Sequence, residues 1–404
     1  MALQPLPQKL TTSPPQKKLS KMKKKKIAFV VAIPGTAESF LTNHLEVLTK
    51  KYEVSLIANF PDNYYNAHFS EMNIRYINAP IVRKINIIKD FTALFKLLKI
   101  FKIENYDSIH SITPKAGLLC SIASWLAGIK VRIHIYTGQV WATRSGMMRY
   151  ILKMMDKTIS LLDTHILVDG EGQRQFLIKE GVIRAKNSQV LAHGSICGVK
   201  LENFCISEQT HMNERKKFGF KNDDVVFVFL GRQNHDKGIG EIYEAFNRLV
   251  AECSKAKLLF YGSDEEEFDK KVSNYPNIKR DWNFFYPGLT KTPYNALQSG
   301  DVFVLPTRRE GFGMSVIEAQ ALGLPVITSD AYGVCDASVP NETGLRCKVN
   351  DPESLYTCMK VYYQHPEMRK RHGMAGRKRV EKYFDHNIVT NAWVEFYNNL
   401  FTTK

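Results

Sequence analysis

The chain has 404 residues, 44% hydrophobic and 24% charged, which suits a soluble globular protein of two domains of roughly 150–200 residues each. No apolar run approaches the ~18–20 residues that span a bilayer, and the N-terminus lacks the apolar core of a secretory signal. The formal charge is +16, and eight lysines without an acid lie in residues 1–26, leaving 16 − 8 = +8 for the rest.

Residues 1–25, rich in Pro, Gln, Ser and Lys, are expected to form a disordered basic tail. Met22 offers an alternative start, which would make residues 1–21 an extension. A basic excess suits an anionic partner, such as nucleic acid, anionic lipid or a phosphorylated ligand, and equally suits a tail that is merely solvated. The seven cysteines, 120, 197, 205, 253, 335, 347 and 358, are scattered and never spaced CxxC. That argues against a disulfide framework or a structural zinc site and for a reducing cytoplasm.

Lys26–Ile33, KIAFVVAI, is the short apolar run of a strand buried on both faces. A Pro34-Gly35 turn follows, then a helix expected over 37–51. EVSLIAN and IRYINA read as the next strands. Residues 87–101 place Ile87, Ile88, Phe91, Leu94, Phe95, Leu98 and Phe101 at helical spacing beside Lys89, Lys96 and Lys99; packing on a sheet and insertion at a membrane both fit. DSIHSI, VRIHIY and THILVD are further strands. The amphipathic, Met-rich stretch Met147–Leu162 is expected in the core.

After HGSICGVKLENF the alternation restarts. DVVFVFLG is a strand, GIGEIYEAFNRLVAEC a helix, and AKLLFYG, FFYPG and DVFVLP are strands; SVIEAQAL is a helix and PVITS a strand. Alternation of this kind predicts parallel sheets covered on both faces. The fold class is therefore α/β, two Rossmann-like halves joined near residues 199–206. A ligand belongs in the cleft between them, at carboxyl ends of strands.

In FLGRQNHDKGIGE, Phe229–Glu241, a strand ends at Gly231, Arg232 and Lys237 follow, and Gly238 leads into a helix. Two cations and a helix N-terminus aimed at one point suit a phosphate or diphosphate. A surface turn with two solvated cations also fits these residues alone. GxGxxG and GxxxxGK[ST] are absent, which disfavours a dinucleotide dehydrogenase or a P-loop NTPase.

REGFGMSVIEAQALGLPVI, Arg309–Ile327, sets Glu310 in a loop and Glu318 one turn into a helix. Gly311 and Gly313 let backbone N–H groups approach a ligand. A carboxylate in an apolar helix needs a partner, because a bare buried charge costs several kcal/mol. Vicinal sugar hydroxyls would serve; a place on the helix surface would also satisfy it. DEEEFD, residues 264–269, is expected to cap a helix N-terminus. His110, His134, His193 and His235, near strand ends, read as structural in preference to catalytic.

EGFGMSVIE resembles the E-x7-E motif of retaining glycosyltransferases of family 4, which have the GT-B fold, and GRQNHDKG resembles the same family's G-R-x4-K-G phosphate motif. The resemblance runs from about Lys26 to the C-terminus. HSITPKAGLL and YTGQVW…LVDGEGQRQFLIKEGV…HGSICGVKLENF resemble a subgroup that builds capsule, O-antigen and glycan-linkage oligosaccharides on a polyprenyl diphosphate. The chain then divides into the tail, an acceptor domain over 26–200, a nucleotide-sugar donor domain over 201–384, and a helix over 385–404 packing back on the first domain.

By that resemblance Arg232 and Lys237 hold the donor diphosphate and Glu318 binds the ribose hydroxyls. Glu310 contacts the transferred sugar, with backbone N–H groups of Gly311, Phe312 and Gly313 beside it. Leu289, in the strand end YPGL, falls where the base is met by backbone. Gly35 would face the diphosphate or the acceptor, and Lys115 and Thr137 lie on the acceptor side. The chain departs from the pattern at Thr137-Gly138, where many relatives have His-Gly; His134 lies three positions earlier.

The implied enzyme is a retaining hexosyl- or N-acetylhexosaminyltransferase. It would move a sugar from a UDP-sugar to a polyprenyl-diphosphate-linked saccharide in bacterial surface polysaccharide or glycan synthesis. It would be cytoplasmic and peripheral on the inner face of the membrane. Its expected partners are the nucleotide-sugar donor, the lipid-linked acceptor and an anionic membrane surface, with no nucleic acid. The chain has no D-x-D motif, so no metal or other cofactor is expected; Arg232, Lys237 and a helix N-terminus would meet the leaving diphosphate's charge. No acid stands out as a covalent nucleophile. That favours front-face attack, with the departing phosphate taking the proton and Glu310 positioning the sugar. Three alternatives remain open at this point. A nucleotide-sugar epimerase should lack E-x7-E. A sucrose- or trehalose-type synthase would use a soluble acceptor. A nucleic-acid binder would leave the second half's motifs without purpose.

Overall fold

The computed structural model describes residues 24–82 and 85–402; the lysines of the tail before residue 24 lie outside them. A first, wholly parallel sheet contains β1 (Lys26–Val30), β2 (Glu53–Ala58), β3 (Ile74–Asn78), β4 (Ser108–Ile112), β5 (Val131–Tyr136), β6 (His165–Val168) and β7 (Ser188–Gln189), in the order β3-β2-β1-β4-β5-β6-β7. A second contains β8 (Val225–Leu230), β9 (Ala256–Tyr261), β10 (Phe284–Gly288), β11 (Val302–Leu305), β12 (Val326–Ser329) and β13 (Gly344–Cys347), in the order β10-β9-β8-β11-β12-β13. Each sheet is flanked by helices, which gives two Rossmann-like domains in the GT-B arrangement. In both sheets the order reverses at the central pair, β1/β4 and β8/β11, where a crevice opens.

The apolar runs form strands because both faces are covered: Ile27 to Val30 and Val226 to Phe229 are fully buried. The Pro34-Gly35 pair, expected as a turn, instead opens the helix Pro34–Phe40. Proline suits a first helical position, whose N–H has no partner to lose. The single helix expected over 37–51 is two, divided at Leu41.

The chain crosses between domains twice, and the crossings are hydrogen-bonded together. Val199 N–H donates to Phe384 C=O at 2.7 Å, and His386 N–H donates to Val199 C=O at 3.0 Å. The helix His386–Thr402 then packs in the first domain's core. Its Trp393 stacks on His44 and His110, with ring centroids 4.2 and 4.9 Å apart.

The helices Ile87–Glu104, Pro114–Leu126 and Gly146–Leu162 connect β3 to β4, β4 to β5 and β5 to β6. Right-handed crossovers in one direction put all three on one face of the sheet, side by side. The expectation that Met147–Leu162 lies in the core is overturned. Met147, Met148, Tyr150, Ile151, Met154 and Leu161 are exposed, and the helix buries only Asp156, Ile159 and Ser160. Among the described residues no helix is long and apolar enough to cross a membrane.

Candidate active site

Loops at the carboxyl ends of β8, β9, β10 and β11 form the second domain's side of the cleft. The loop after β8 carries Arg232 to Gly238. Gly238 has φ +73°, and a side chain there would run into the Pro306 backbone, so only glycine fits. This turn starts the helix Ile239–Glu252 and fixes Lys237 at its mouth. Lys237 Nζ forms an ion pair with Glu310 Oε1, both side chains being largely buried.

Arg232 is half-exposed and pairs with Glu265 at 3.1 Å; Glu265 also accepts from Asn234 Nδ2 at 2.9 Å. In DEEEFD, Asp264 makes the expected caps, accepting from the N–H groups of Phe268 and Asp269 at 3.0 and 2.8 Å. Glu265 instead reaches back to the phosphate motif. The loops after β9 and β10 are joined by Gly262 N–H to Gly288 C=O at 2.9 Å, beside exposed Leu289.

Beneath Lys237, Asp236 is held by Arg309 at 2.6 Å and by Thr143 Oγ1 of the first domain at 2.8 Å. Burial pushes the Asp236 carboxyl up, but the Arg309 guanidinium outweighs it, and the group sits below its ordinary range. Arg308 pairs with Glu241. Both arginines before Glu310 are therefore anchors for its loop.

Gly311 is pressed from the first domain. A Cβ there would lie 2.6 Å from Asp169 Oδ2 and 2.6 Å from the Thr137 carbonyl carbon. A Cβ at Gly138, whose φ is +112°, would lie 3.1 Å from Gly311 N. Phe312 is buried and its ring packs 5.2 Å from Phe384. Gly313, at φ +99°, starts the helix Met314–Ala321.

Glu318 lies one turn into that helix, half-buried. It has no hydrogen-bond or ion-pair partner among the described residues. Burial pushes its carboxyl up to about 7. The structure thus brings Arg232, Lys237, Glu310, Gly311, Gly313 and Glu318 to one side of the cleft, with Thr137 against them. Gly35 sits in the first turn of Pro34–Phe40 with open space around its Cβ position. Lys115 is engaged by Asp90 of the neighbouring helix at 2.6 Å.

His134 lies within β5. It is buried, its Nδ1 is 2.8 Å from Ser111 Oγ, and burial lowers its pKa to about 3. His110 is likewise buried against Tyr397, and the His193 ring lies against Tyr383.

Two residues escaped the sequence reading. Asp169 follows β6 and is 5% exposed; its Oδ1 is buried with no hydrogen-bond partner among the described residues. Burial, and secondarily Glu310, pushes its carboxyl well up. The available signal was an aspartate ending an apolar strand. Thr113 follows β4 at the crevice with φ +75°, and its Oγ1 is buried without a partner among the described residues. A β-branched residue in that conformation is strained, as is common where function requires it. Among the described residues no group of three or more His, Cys, Asp or Glu could hold a metal ion.

A family model described as "Glycosyl transferases group 1" matches residues 211–379. The capsular polysaccharide biosynthesis glycosyltransferase CapM of Staphylococcus aureus is 31% identical over 319 residues, covering 79% of this chain and 83% of that protein. The UDP-Gal:alpha-D-GlcNAc-diphosphoundecaprenol alpha-1,3-galactosyltransferase of Escherichia coli is 25% identical over 342 residues, covering 83% and 87%. Among solved structures, Anabaena Alr3699/HepE in complex with UDP-glucose matches with a TM-score of 0.75 at 15% identity, covering 93% of this chain and 99% of that one. At that identity the likeness shows the fold.

Proposed function

The chain belongs to the glycosyl transferases group 1 family and is a glycosyltransferase of the GT-B fold, and on that premise we propose that it moves a hexose or N-acetylhexosamine from a UDP-sugar to a saccharide carried on polyprenyl diphosphate, with retention of anomeric configuration. The observation that carries the donor half is Glu318. A desolvated carboxylate without a protein partner is costly, and the vicinal hydroxyls of a ribose supply two donors to it. The acceptor half rests on the Escherichia coli relative, whose name gives a diphosphoundecaprenol-linked acceptor.

In this reading Arg232, Lys237 and the N-terminus of Ile239–Glu252 face the diphosphate. They stabilise the charge that develops as the sugar departs; preorganised charge of this kind is commonly the largest catalytic contribution. An ammonium has three donors, so Lys237 holds Glu310 with one and has two left for phosphate oxygens. Glu310 then lies beside the transferred sugar and orients it, with the backbone of Gly311 to Gly313. The acceptor hydroxyl attacks from the leaving-group face, and the departing phosphate takes its proton. Leu289 flanks the base, and Gly35, Lys115 and Thr137 line the acceptor side. The enzyme works at the cytoplasmic face of the membrane.

A screen of nucleotide sugars for thermal stabilisation tests the donor assignment. A ligand at ~100 times its dissociation constant adds ~2.7 kcal/mol to stability. UDP and a UDP-sugar should raise Tm. Stabilisation by guanosine or adenosine diphosphate sugars alone would refute the assignment.

A further inference from the structure

Next to the two interdomain crossings, the domains enclose a further cavity of about 740 Å³, within the ~300–1,000 Å³ of small-molecule sites. The first domain supplies Glu171, Gln189 and His193 to its lining, and the second Asp336, Arg346 and Arg379. None of the donor-side or acceptor-side residues named above lines it. Phe312, two residues after Glu310, links the two places. Its ring packs on Phe384 of the cavity wall. It also packs on Gly170 and Gly194, where an added Cβ would lie 3.2 and 2.9 Å from it, and their neighbours Glu171 and His193 face the cavity.

Two guanidiniums set the chemistry. Arg346 donates to the Cys335 and Ser338 carbonyls at 3.1 and 2.9 Å, and Arg379 to the Ala337 and Asp336 carbonyls at 3.0 and 2.6 Å. Each guanidinium has five N–H donors, and these carbonyls take two. Arg346 Nε is buried with no hydrogen-bond partner among the described residues, and neither arginine has an ion pair there. A buried charge met only by carbonyl dipoles is costly. The acids of the cavity are engaged elsewhere. Glu171 pairs with Arg174 at 2.9 Å, and Asp336 accepts from Gly172 N–H at 2.7 Å across the domain boundary. The Arg379 guanidinium is held flat, 4.6 Å from the Phe384 ring centroid. The first domain's wall is strained: Ala192 and Ser195 have φ +49° and +71°, as is common at ligand clamps. Ser195 N–H in turn donates to Asp169 C=O at 2.7 Å.

We propose that this cavity is a second ligand site, which takes a phosphorylated sugar and bridges the two domains. The phosphate lies on Arg346 and Arg379, whose planar forks match phosphate oxygens. The cavity is larger than a phosphate alone would fill, and the Glu171 and Asp336 carboxylates accept from the sugar hydroxyls. The Tyr383 and His193 rings, 4.3 Å apart, flank the sugar ring. A ligand touching both domains favours the arrangement in which Gly311 meets Asp169. It therefore tightens nucleotide binding through Phe312 and that contact. The site lies outside the transferase centre, and its location does not depend on which donor the enzyme uses.

The test is calorimetric titration of the full chain with glucose 1-phosphate, inorganic phosphate and glucose, with the protein free and saturated with UDP. Saturation removes binding at the donor site. Glucose 1-phosphate should bind both forms, on the order of tenfold tighter than inorganic phosphate, as added hydrogen bonds to charged groups allow; glucose should not bind. Arg346→Gln removes a charge-assisted contact and should weaken glucose 1-phosphate about tenfold or more. Gln189→Glu, at an exposed position, adds a negative charge without changing shape and should weaken it several-fold, which guards against a folding defect in the first variant. Both should keep the UDP-induced rise in Tm. In wild type, glucose 1-phosphate should tighten UDP about fivefold or more, and UDP should tighten glucose 1-phosphate by the same factor. Three results would each overturn the proposal: no binding of glucose 1-phosphate to the UDP-saturated protein, unchanged affinity in both variants, or inorganic phosphate bound as tightly as glucose 1-phosphate. Unchanged UDP affinity would overturn the coupling. Absence of UDP binding, with glucose 1-phosphate bound by wild type and weakened in the variants, would refute the donor assignment alone.

Discussion

Lys237, in the loop after β8, is ion-paired with Glu310, in the loop after β11. The phosphate motif and the E-x7-E motif, about seventy residues apart in the chain, therefore meet through one bond at the point where the order of the second sheet reverses. In the proposed mechanism the pair couples the charge on the leaving diphosphate to the group that orients the sugar.

Lys237→Ala should lower kcat on the order of 10²–10³, as for other preorganised charge contacts, and should also leave Glu310 unpaired. Glu310→Gln keeps the shape and should mainly lower kcat with little change in the KM for donor. Steady-state kinetics of both variants check this. A Glu310→Gln effect confined to KM would place Glu310 in ground-state binding instead.

Glu318 gives a pH dependence. Its carboxyl rises from 4.5 to about 7 on folding, so between those values the native state holds more protons than the unfolded state. Stability then falls as pH rises through this window and is flat above it. Glu318→Gln should raise Tm at pH about 8, where the wild type carries the buried charge, yet weaken UDP binding. UDP affinity of wild type relative to Glu318→Gln should increase as pH passes through about 7, since ribose hydroxyls favour the ionised form. Calorimetric titration of both proteins across that range checks it, and the comparison cancels the titration of UDP itself. Equal UDP affinity at every pH would remove Glu318 from the nucleotide.

The closeness of Gly311 to Asp169 and Thr137 predicts that Gly311→Ala is not a mild change. Its Cβ would fall 2.6 Å from an Asp169 oxygen and from the Thr137 backbone. The two domains would have to shift, at a cost of ~1–3 kcal/mol. Activity should be lost while the protein remains folded, with a Tm a few degrees lower. Wild-type activity in this variant would show that the domains do not meet this closely during turnover.

Transfer should survive chelation, because in the proposed reading Arg232, Lys237 and a helix N-terminus face the diphosphate, and the chain has no D-x-D motif. An assay with and without EDTA decides the point. Inactivation by EDTA that Mn²⁺ or Mg²⁺ reverses would assign that charge to a metal.

The strands buried on both faces were legible because their apolar runs are continuous. β7 and β13 were not: Ser188–Gln189 has no apolar residue, and Gly344–Cys347 is short and mixed. The E-x7-E and G-R-x4-K-G spacings were legible because each sits on one loop and one helix start. The partners of their residues were not, since Glu265 beside Arg232 and Asp169 beside Gly311 are brought close only by the packing of separate strands. Met147–Leu162 reads as an amphipathic core stretch, yet most of its large apolar side chains are exposed. Helical periodicity gives the spacing of apolar residues and not whether the sheet covers them.

The most direct measurement is transfer of a radiolabelled sugar from UDP-linked donors, with a polyprenyl-diphosphate-linked saccharide and soluble sugar phosphates offered in parallel, the anomeric configuration of the product being read by NMR. The account predicts label in the lipid-linked product, joined with the same anomeric configuration as the donor, and none in the soluble fraction beyond released sugar. Label found only on a soluble acceptor, or a lipid-linked product of inverted configuration, would contradict it.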